Sequence, residues 1–262
     1  MKLVLPFALF VCVNAVAAEP FSSELTFSHF NNNYEYYGFS SNNLGYRYYL
    51  SENSTEQNLP YAALEQFGRR SSVAINYLSS DLDQTFWYEP QSLNAWNIGG
   101  IYQSTEHDWH LSLEHLRLNK SSSHKTSFIA GYYIQPGWLV KLHLQHEDVE
   151  SRGSYQHFGV SSEKIWAFDS GSFLNFSASY FNNKGLRNDS LALALDYYFN
   201  SALSVGVFIN EKTPEDYLVS VDRVGVRSSW FVTPQLQLKA GIGLEDVSDS
   251  EYAWDLGVSW RF

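Results

Sequence analysis

The last nine residues, Trp254-Asp255-Leu256-Gly257-Val258-Ser259-Trp260-Arg261-Phe262, alternate without a break. Trp, Leu, Val, Trp and Phe hold one parity; Asp, Gly, Ser and Arg hold the other. A period of two places the two sets on opposite faces of a strand, one apolar and aromatic, the other polar or small. Working backwards, Leu236, Leu238, Ala240, Ile242 and Leu244 repeat the pattern against Gln237, Lys239, Gly241 and Gly243. So do Leu203/Val205/Val207/Ile209, Leu191/Leu193/Leu195/Tyr197/Phe199, Trp138/Val140/Leu142/Leu144, Phe128/Ala130/Tyr132/Ile134 and Leu44/Tyr46/Tyr48/Leu50. Apolar residues three and four apart, the mark of amphipathic helices, are almost absent. The chain is all-β.

Composition narrows the class. The 262 residues are 44% hydrophobic and only 17% charged, which excludes a disordered chain. Seventeen basic against 28 acidic residues give a formal charge of −11, the wrong sign for a nucleic-acid partner. Residues 1–18 read as a secretory signal peptide: Lys2, an apolar run from Leu3 to Val13, then Asn14-Ala15-Val16-Ala17-Ala18, with cleavage before Glu19. The run is too short for a membrane anchor, which needs about 20 apolar residues. Cys12 as a lipidation site is disfavoured, because Val11 precedes it and the apolar run continues past it. Removing those 18 residues from 262 leaves 244 (19–262) without Cys or Met, and losing Lys2 takes the charge from −11 to −12. An exported chain without cysteine has no disulfides and must be secured by size or topology. No later segment approaches 18 consecutive apolar residues, so any membrane is crossed by strands.

A soluble sandwich buries its apolar face between two sheets, whereas a membrane barrel turns it outward to lipid around a polar lumen. Three features favour a transmembrane antiparallel up-and-down β-barrel. The strands are about ten residues long, as a tilted bilayer crossing requires. Aromatics gather near strand ends (Trp96, Trp138, Trp166, Tyr197 to Phe199, Trp230 with Phe231, Trp254, Trp260), as two interfacial girdles would place them. Short turns (Gln135-Pro136-Gly137, Asp169-Ser170-Gly171, Asn200-Ser201-Ala202, Thr233-Pro234) also alternate with longer, more charged connections. In outer-membrane barrels the short ones are periplasmic and the long ones extracellular. Strands are expected near 23–31, 42–50, 70–80, 95–103, 108–118, 125–134, 138–147, 154–166, 172–182, 190–199, 203–211, 216–230, 235–245 and 251–262. That makes about 14, with 12 as the alternative, and both termini periplasmic. The stretch from Asp81 to Ala95 is poorly patterned, and phase changes between Leu113 and Leu116 and between Val221 and Val224 suggest bulges.

The chain's end, Trp254, Leu256, Val258, Trp260 and Phe262, resembles the C-terminal signal read by the barrel-assembly machinery of Gram-negative bacteria. The segment Asn58-Leu59-Pro60-Tyr61-Ala62-Ala63-Leu64-Glu65-Gln66-Phe67-Gly68-Arg69-Arg70-Ser71-Ser72-Val73-Ala74-Ile75-Asn76-Tyr77 is similar to one in small outer-membrane porins of marine gammaproteobacteria. The junctions Tyr198 to Leu203 and Phe231 to Leu236 add to the resemblance. It implies an outer-membrane porin-like barrel in a Gram-negative cell, met by the assembly machinery and periplasmic chaperones during biogenesis and surrounded by lipid and lipopolysaccharide. The chain is shorter than trimeric porins, and no long inward-folding constriction loop is evident.

Outer-membrane barrels include enzymes, and several constellations in this chain have the residue types of an active site. Asp81-x-Asp83 and Asp108-x-His110 resemble the paired acids and Asp/His pair of omptin proteases, where a polarised water is the nucleophile. Here the two pairs fall at opposite ends of the barrel, about 30 Å apart by strand length. His110-x-Ser112 shares a face, as in barrel phospholipases and deacylases, but lacks an orienting partner. His143-x-x-His146-Glu147 and His107-x-x-His110 could chelate zinc on a helix, whereas on a strand i and i+3 point to opposite sides. No catalytic site, metal or cofactor is expected.

Phase assigns Arg47, Lys141, His143, Glu147, Glu163, Asp196, Arg223, Arg227, Lys239, Asp255 and Arg261 to the lumen. A midplane Lys or Arg on the lipid face would cost about 2–4 kcal/mol, so charges belong on the wet side. Lys164 breaks that rule near the periplasmic interface. Acidic residues gather at the outer rim: Asp81, Asp83, Asp148, Glu150, Glu215, Asp216, Asp246, Asp249 and Glu251. The expected function is passive diffusion of small hydrophilic solutes or ions through a narrow pore, with a mild cation preference set by that rim. A non-conducting structural or ligand-binding barrel filled by side chains is the alternative, and a barrel lipase or protease is disfavoured.

Overall fold

In the computed structural model of the protein, the described residues are 21–33, 37–50, 59–84, 91–104, 106–119, 121–150, 153–183, 188–214, 223–246 and 251–262. The expected signal peptide, residues 1–18, lies outside them. Fourteen strands close into one antiparallel barrel in which each pairs with its chain neighbours and β1 pairs with β14. They are β1 (Ser23–Asn33), β2 (Tyr37–Tyr49), β3 (Ser72–Gln84), β4 (Gln91–Gln103), β5 (Trp109–Leu118), β6 (His124–Gln135) and β7 (Trp138–Val149). Then follow β8 (Gly153–Ala167), β9 (Phe173–Asn183), β10 (Asn188–Tyr198), β11 (Leu203–Pro214), β12 (Arg223–Phe231), β13 (Leu236–Asp246) and β14 (Glu251–Arg261). At roughly 3.3 Å per residue and a tilt near 40°, an 11-residue strand rises about 28 Å, enough for an apolar band about 25 Å tall.

Closure removes the sheet edge that a chain with a single cysteine, and so no internal disulfide, would otherwise leave open. At the seam, Leu25 stands opposite Trp260 and Phe27 opposite Val258. Below the last pair, Phe262 O accepts from the N–H groups of Ser22 (3.1 Å) and Ser23 (2.9 Å).

The exposed large side chains share the outward parity on each strand, apart from Leu93 on β4. Leu44, Ile98, Leu113, Leu142, Val207, Ile242 and Leu256 are each around half exposed, as a lipid-facing wall requires. Trp96, Trp109, Trp166 and Trp260 stand on the same face nearer the strand ends. Lys164 also points outward, its Nζ 4.7 Å from the Trp138 ring and 5.0 Å from the Trp166 ring. Those rings supply the cation–π contacts that make a lysine tolerable at an interface.

Several expectations are corrected. Phe231 is not part of a girdle: it is 2% exposed and packs inside the wall against Tyr61. The register of β5 with both neighbours is continuous, so there is no bulge at Leu113–Leu116. Leu116 lies inward, and the outward positions beyond Leu113 are His115 and Arg117, above the apolar band. The irregularities among the described pairs fall at Tyr133/Gln135 and Leu244/Asp246 instead; Val221 lies outside the described residues. The poorly patterned stretch is shorter than expected, since β3 runs to Gln84 and β4 starts at Gln91.

The largest correction concerns the segment between β2 and β3, which folds into the barrel. Pro60 to Phe67 form a turn and a short helix, α1 (Leu64–Phe67), whose Leu64 and Phe67 are buried. Ala63 and Phe67 pack against Tyr133, Leu139, Ile165, Phe173 and Tyr198, inward residues that flank the short turns. This plug forms a hydrophobic core inside the mouth at the turn end, where each fully buried large apolar side chain contributes roughly 1.5–3 kcal/mol.

Candidate functional site

Above the plug the lumen holds a cavity of about 680 Å³, with Ala62 and Glu65 of the plug in its floor. Nine of the residues assigned by phase line it: Lys141, His143, Glu163, Asp196, Arg223, Arg227, Lys239, Asp255 and Arg261. Arg47 is also inward but pairs with Glu65 of the plug. Glu147 lies higher on β7, with its Oε2 3.2 Å from His157 Nε2 on β8. Five acids (Glu24, Glu65, Glu163, Asp196, Asp255) face five bases (Lys141, Arg223, Arg227, Lys239, Arg261) around the cavity.

These charges are arranged as pairs between strands. Arg227 donates through Nε to Asp196 Oδ1 at 2.7 Å and through Nη2 to Asp196 Oδ2 at 2.5 Å, a fork-to-carboxylate geometry. The Asp196 carboxylate lies across Gly206 on β11, where any Cβ would collide with it. Near the floor, Arg261 Nε donates to Glu24 Oε2 at 2.8 Å. The Arg261 guanidinium is stacked between the rings of Phe21 (5.0 Å) and Phe231 (4.7 Å). Elsewhere His143 Nε2 and Ser161 Oγ are 2.7 Å apart, and Asn175 Nδ2 donates to Glu163 Oε1 at 3.3 Å.

The plug is tied to the wall by polar groups on all sides. Tyr61 N–H donates to Ser201 O at 2.9 Å, Arg261 Nη1 to Tyr61 O at 3.2 Å, and the Tyr133 hydroxyl to Gln66 O. Where the plug rejoins the wall, Arg69 adopts a positive φ of 51°, uncommon for a residue with a side chain. Its Nη1 lies 2.8 Å from Asp108 Oδ1, and its guanidinium sits 4.4 Å from the Tyr133 ring centre. Next to it the Arg70 N–H donates to Gln103 Oε1 at 2.8 Å. Burial pushes the Arg70 guanidinium down to about 10, so it stays charged at neutral pH.

The catalytic constellations come apart. Asp81 is exposed at the loop end, whereas Asp108 pairs with Arg69 at the turn end; the Asp83 side chain lies outside the described residues. His110 accepts at Nδ1 from Gln103 Nε2 at 2.9 Å, so an amide and not a carboxylate orients it. His143 faces the lumen, while His146 on the outer face lies 3.4 Å from Asp148. Among the described residues no three His, Cys, Asp or Glu side chains converge on a common point. Of the acidic rim, Asp81 and Asp148 stand on the outward parity, away from the pore axis, and Asp148 pairs with His124 at 3.0 Å. The side chains of Asp83, Glu215, Asp216, Asp246 and Asp249 lie outside the described residues.

Sequence reading missed Glu24, Glu65 and the plug. Glu24 carried the signal, because it holds the parity opposite Leu25 and Phe27. For the plug, the signal was twofold. Ala63, Leu64 and Phe67 break the period of two, and Leu139 and Ile165 put apolar side chains on the inward parity beside the turns.

The Acinetobacter baumannii outer membrane protein Omp33 superposes with a TM-score of 0.72 at 14% identity, over 94% of this chain and 100% of that one. The KdgM porin (12% identity, 91% of this chain, 99% of that one) and a Rhodopseudomonas blastica porin mutant (8%, 92%, 99%) both reach a TM-score of 0.48. Comparison with curated proteins gives no match. Residues 3–158 and 149–262 match one family, described as "Putative general bacterial porin". A closed 14-stranded barrel with lipid-facing walls and a polar, ion-paired lumen therefore belongs, over nearly its whole length, to this family of bacterial porins, and is a porin-like channel of the Gram-negative outer membrane.

Proposed function

We propose that small hydrophilic solutes and ions diffuse passively through the lumen lined by Lys141, His143, Glu163, Asp196, Arg223, Arg227, Lys239, Asp255 and Arg261, and that the plug narrows its periplasmic mouth. The observation that carries the reading is the polar cavity of about 680 Å³ above the plug. Glu147 and Arg47 belong to the same lining, above and below it respectively. The balance of five acids and five bases keeps ion selectivity small. A mild cation preference would come from the acidic rim, of whose described members Asp81 and Asp148 face outward, Glu150 stands at a loop and Glu251 holds the inward parity of β14. The channel performs no catalysis and needs no cofactor.

Export depends on residues 1–18 as a cleaved signal peptide. Trp254, Leu256, Val258, Trp260 and Phe262, all on the outward parity of the closing strand or just past it, serve as the signal for the barrel-assembly machinery, with periplasmic chaperones delivering the chain. Lipopolysaccharide surrounds the loop end. The test is swelling of liposomes that contain the refolded chain, in a series of uncharged sugars of rising size. Swelling that falls steeply with solute size supports a narrow diffusion pore, and no swelling with the smallest solute refutes it. The plug itself favours a second reading, a non-conducting structural or ligand-binding barrel, which that refuting result would select.

A further inference from the structure

Above the apolar band, the outward wall of β5, β6 and β7 changes character in two steps. Register sets Leu113, Phe128, Leu144 and Phe158 side by side in one lipid-facing row. The next row toward the loops is His115, Thr126 and His146, and the one after it is Arg117, His124 and Asp148. Directly opposite side chains on one face lie about 5 Å apart, so each row is a continuous strip. Four residues at roughly 3.3 Å each and a tilt near 40° put Arg117 about 10 Å above Leu113, at the level where acyl chains give way to headgroups.

Arg117 is exposed and has no hydrogen-bond or ion-pair partner among the described residues. Among those residues it is also the one Lys or Arg on the outward parity at the loop end; Asp81, Asn94, Asp189 and Glu211 hold comparable places elsewhere on the wall. The acids near it are answered locally. Ser122 O lies 3.2 Å from His124 Nδ1 and Asp148 Oδ2 lies 3.0 Å from His124 Nε2, so the ring donates at both nitrogens, the pattern of an imidazolium. His146 Nε2 is 3.4 Å from the same carboxylate oxygen. Glu150 accepts from Ser121 Oγ at 2.9 Å and from the Ser122 N–H at 3.1 Å. The Arg117 guanidinium is left open to an anion from outside.

We propose that this strip binds the phosphorylated headgroup of a lipopolysaccharide molecule in the outer leaflet. The planar fork of Arg117 takes a phosphate of the lipid A part with two parallel hydrogen bonds. His115, whose Nδ1 is 2.9 Å from Thr126 Oγ1, keeps its other nitrogen for the sugar. The acyl chains lie on the row from Leu113 to Phe158. Three strand spacings make that row about 14 Å wide, more than the two chains of a phospholipid fill. The acidic and neutral places elsewhere at the same height offer a phosphate no such contact, so the lipid is held at one side of the barrel. The proposal rests on the outer-membrane placement of the barrel and is independent of whether the lumen conducts.

The test uses the full chain refolded in detergent micelles, with bound lipid counted by native mass spectrometry in the presence of EDTA. The probes are lipid A, lipid A stripped of its phosphates, phosphatidylglycerol and inorganic phosphate. One lipid A is expected to bind, about tenfold more tightly than either the stripped form or phosphatidylglycerol, and inorganic phosphate at millimolar concentration should not displace it. Arg117→Gln should weaken lipid A by about tenfold, to the level of the stripped form, while Arg117→Lys should weaken it only several-fold. Lys164→Gln, at the other end of the wall, should leave binding unchanged. Heat-modifiable gel migration checks that each variant is folded. Equal binding of lipid A and phosphatidylglycerol, displacement by inorganic phosphate, loss of binding in EDTA, or binding that Arg117→Gln leaves unchanged overturns the proposal. Conductance of the same preparation reports on the channel separately. A silent barrel that binds lipid A through Arg117 overturns the channel and keeps the site, and a conducting barrel without such binding overturns the site alone.

Discussion

Replacing Phe67 by alanine should loosen the plug while leaving the barrel wall intact. Phe67 is 7% exposed and packs among Ala63, Tyr133, Leu139, Ile165, Phe173 and Tyr198, with its ring 6.5 Å from that of Tyr133. Removing a buried phenylalanine from a packed core costs about 3–5 kcal/mol. The polar ties of Tyr61, Glu65, Gln66 and Arg69 remain, so the lower figure applies to the plug alone. Every 1.4 kcal/mol is a factor of ten, so about 3 kcal/mol raises the ratio of displaced to seated plug by roughly a hundredfold. None of the wall's backbone hydrogen bonds involves Phe67, so heat-modifiable migration and strand content should match the parent. Single-channel recording in a planar bilayer reads the effect as a roughly hundredfold rise in the frequency of large openings. Adding Glu65→Ala, which removes the partner of Arg47, should raise it further. Openings as rare and as small as in the parent, from a correctly folded Phe67→Ala barrel, would refute the idea that the plug limits the pore.

Other consequences follow from the wall and the loops. Arg227→Met strands the Asp196 carboxylate, whose side chain is 8% exposed, and should destabilise the barrel by about 3–5 kcal/mol in urea titrations; Asp196→Asn in the same chain should recover much of the loss. Leu142→Arg puts a charge on the lipid face, where the parent side chain is 46% exposed, and should cost about 2–4 kcal/mol of folding into bilayers. Lys164→Gln, at the interface, should cost less than about 1 kcal/mol in the same assay. Hydrogen bonds from Ser121 Oγ and the Ser122 N–H hold the Glu150 carboxyl below the usual carboxylate range. A depressed carboxyl stabilises the fold above its unfolded value, near pH 4.3, and that contribution is lost as pH falls through the lower folded value. Protection of the Ser122 amide against exchange, taken relative to its intrinsic rate at each pH, should therefore fall on acidification below about pH 4, and Glu150→Gln should leave it low throughout that range.

Much of this architecture is local and so legible from residues alone. Parity is a steric property of the extended chain, so the alternation from Trp254 to Phe262 places side chains on a wall without knowledge of the rest of the barrel. The same parity accounts for Asp196 and Arg227 standing on one face of adjacent strands. Where lipid ends, the alternation loses its meaning, because both faces are wet. That is why β3 and β4 run further than expected through Asp81 and Ser92, and why Leu116 read as a phase change. The plug was out of reach for a different reason. Its stability comes from contacts between residues far apart in sequence, such as Phe67 with Tyr133 and Tyr61 with Ser201. Only the inward apolar residues at the turn ends, Leu139 and Ile165 among them, hinted that something packs inside.

The most direct measurement is single-channel conductance of the refolded full chain in a planar bilayer, under a tenfold salt gradient. A narrow, nearly balanced lumen above a plug should give small, discrete openings with a reversal potential close to zero and slightly on the cation side. A folded barrel that stays silent, and remains silent when Phe67→Ala loosens the plug, would contradict the account and leave a closed structural barrel in its place.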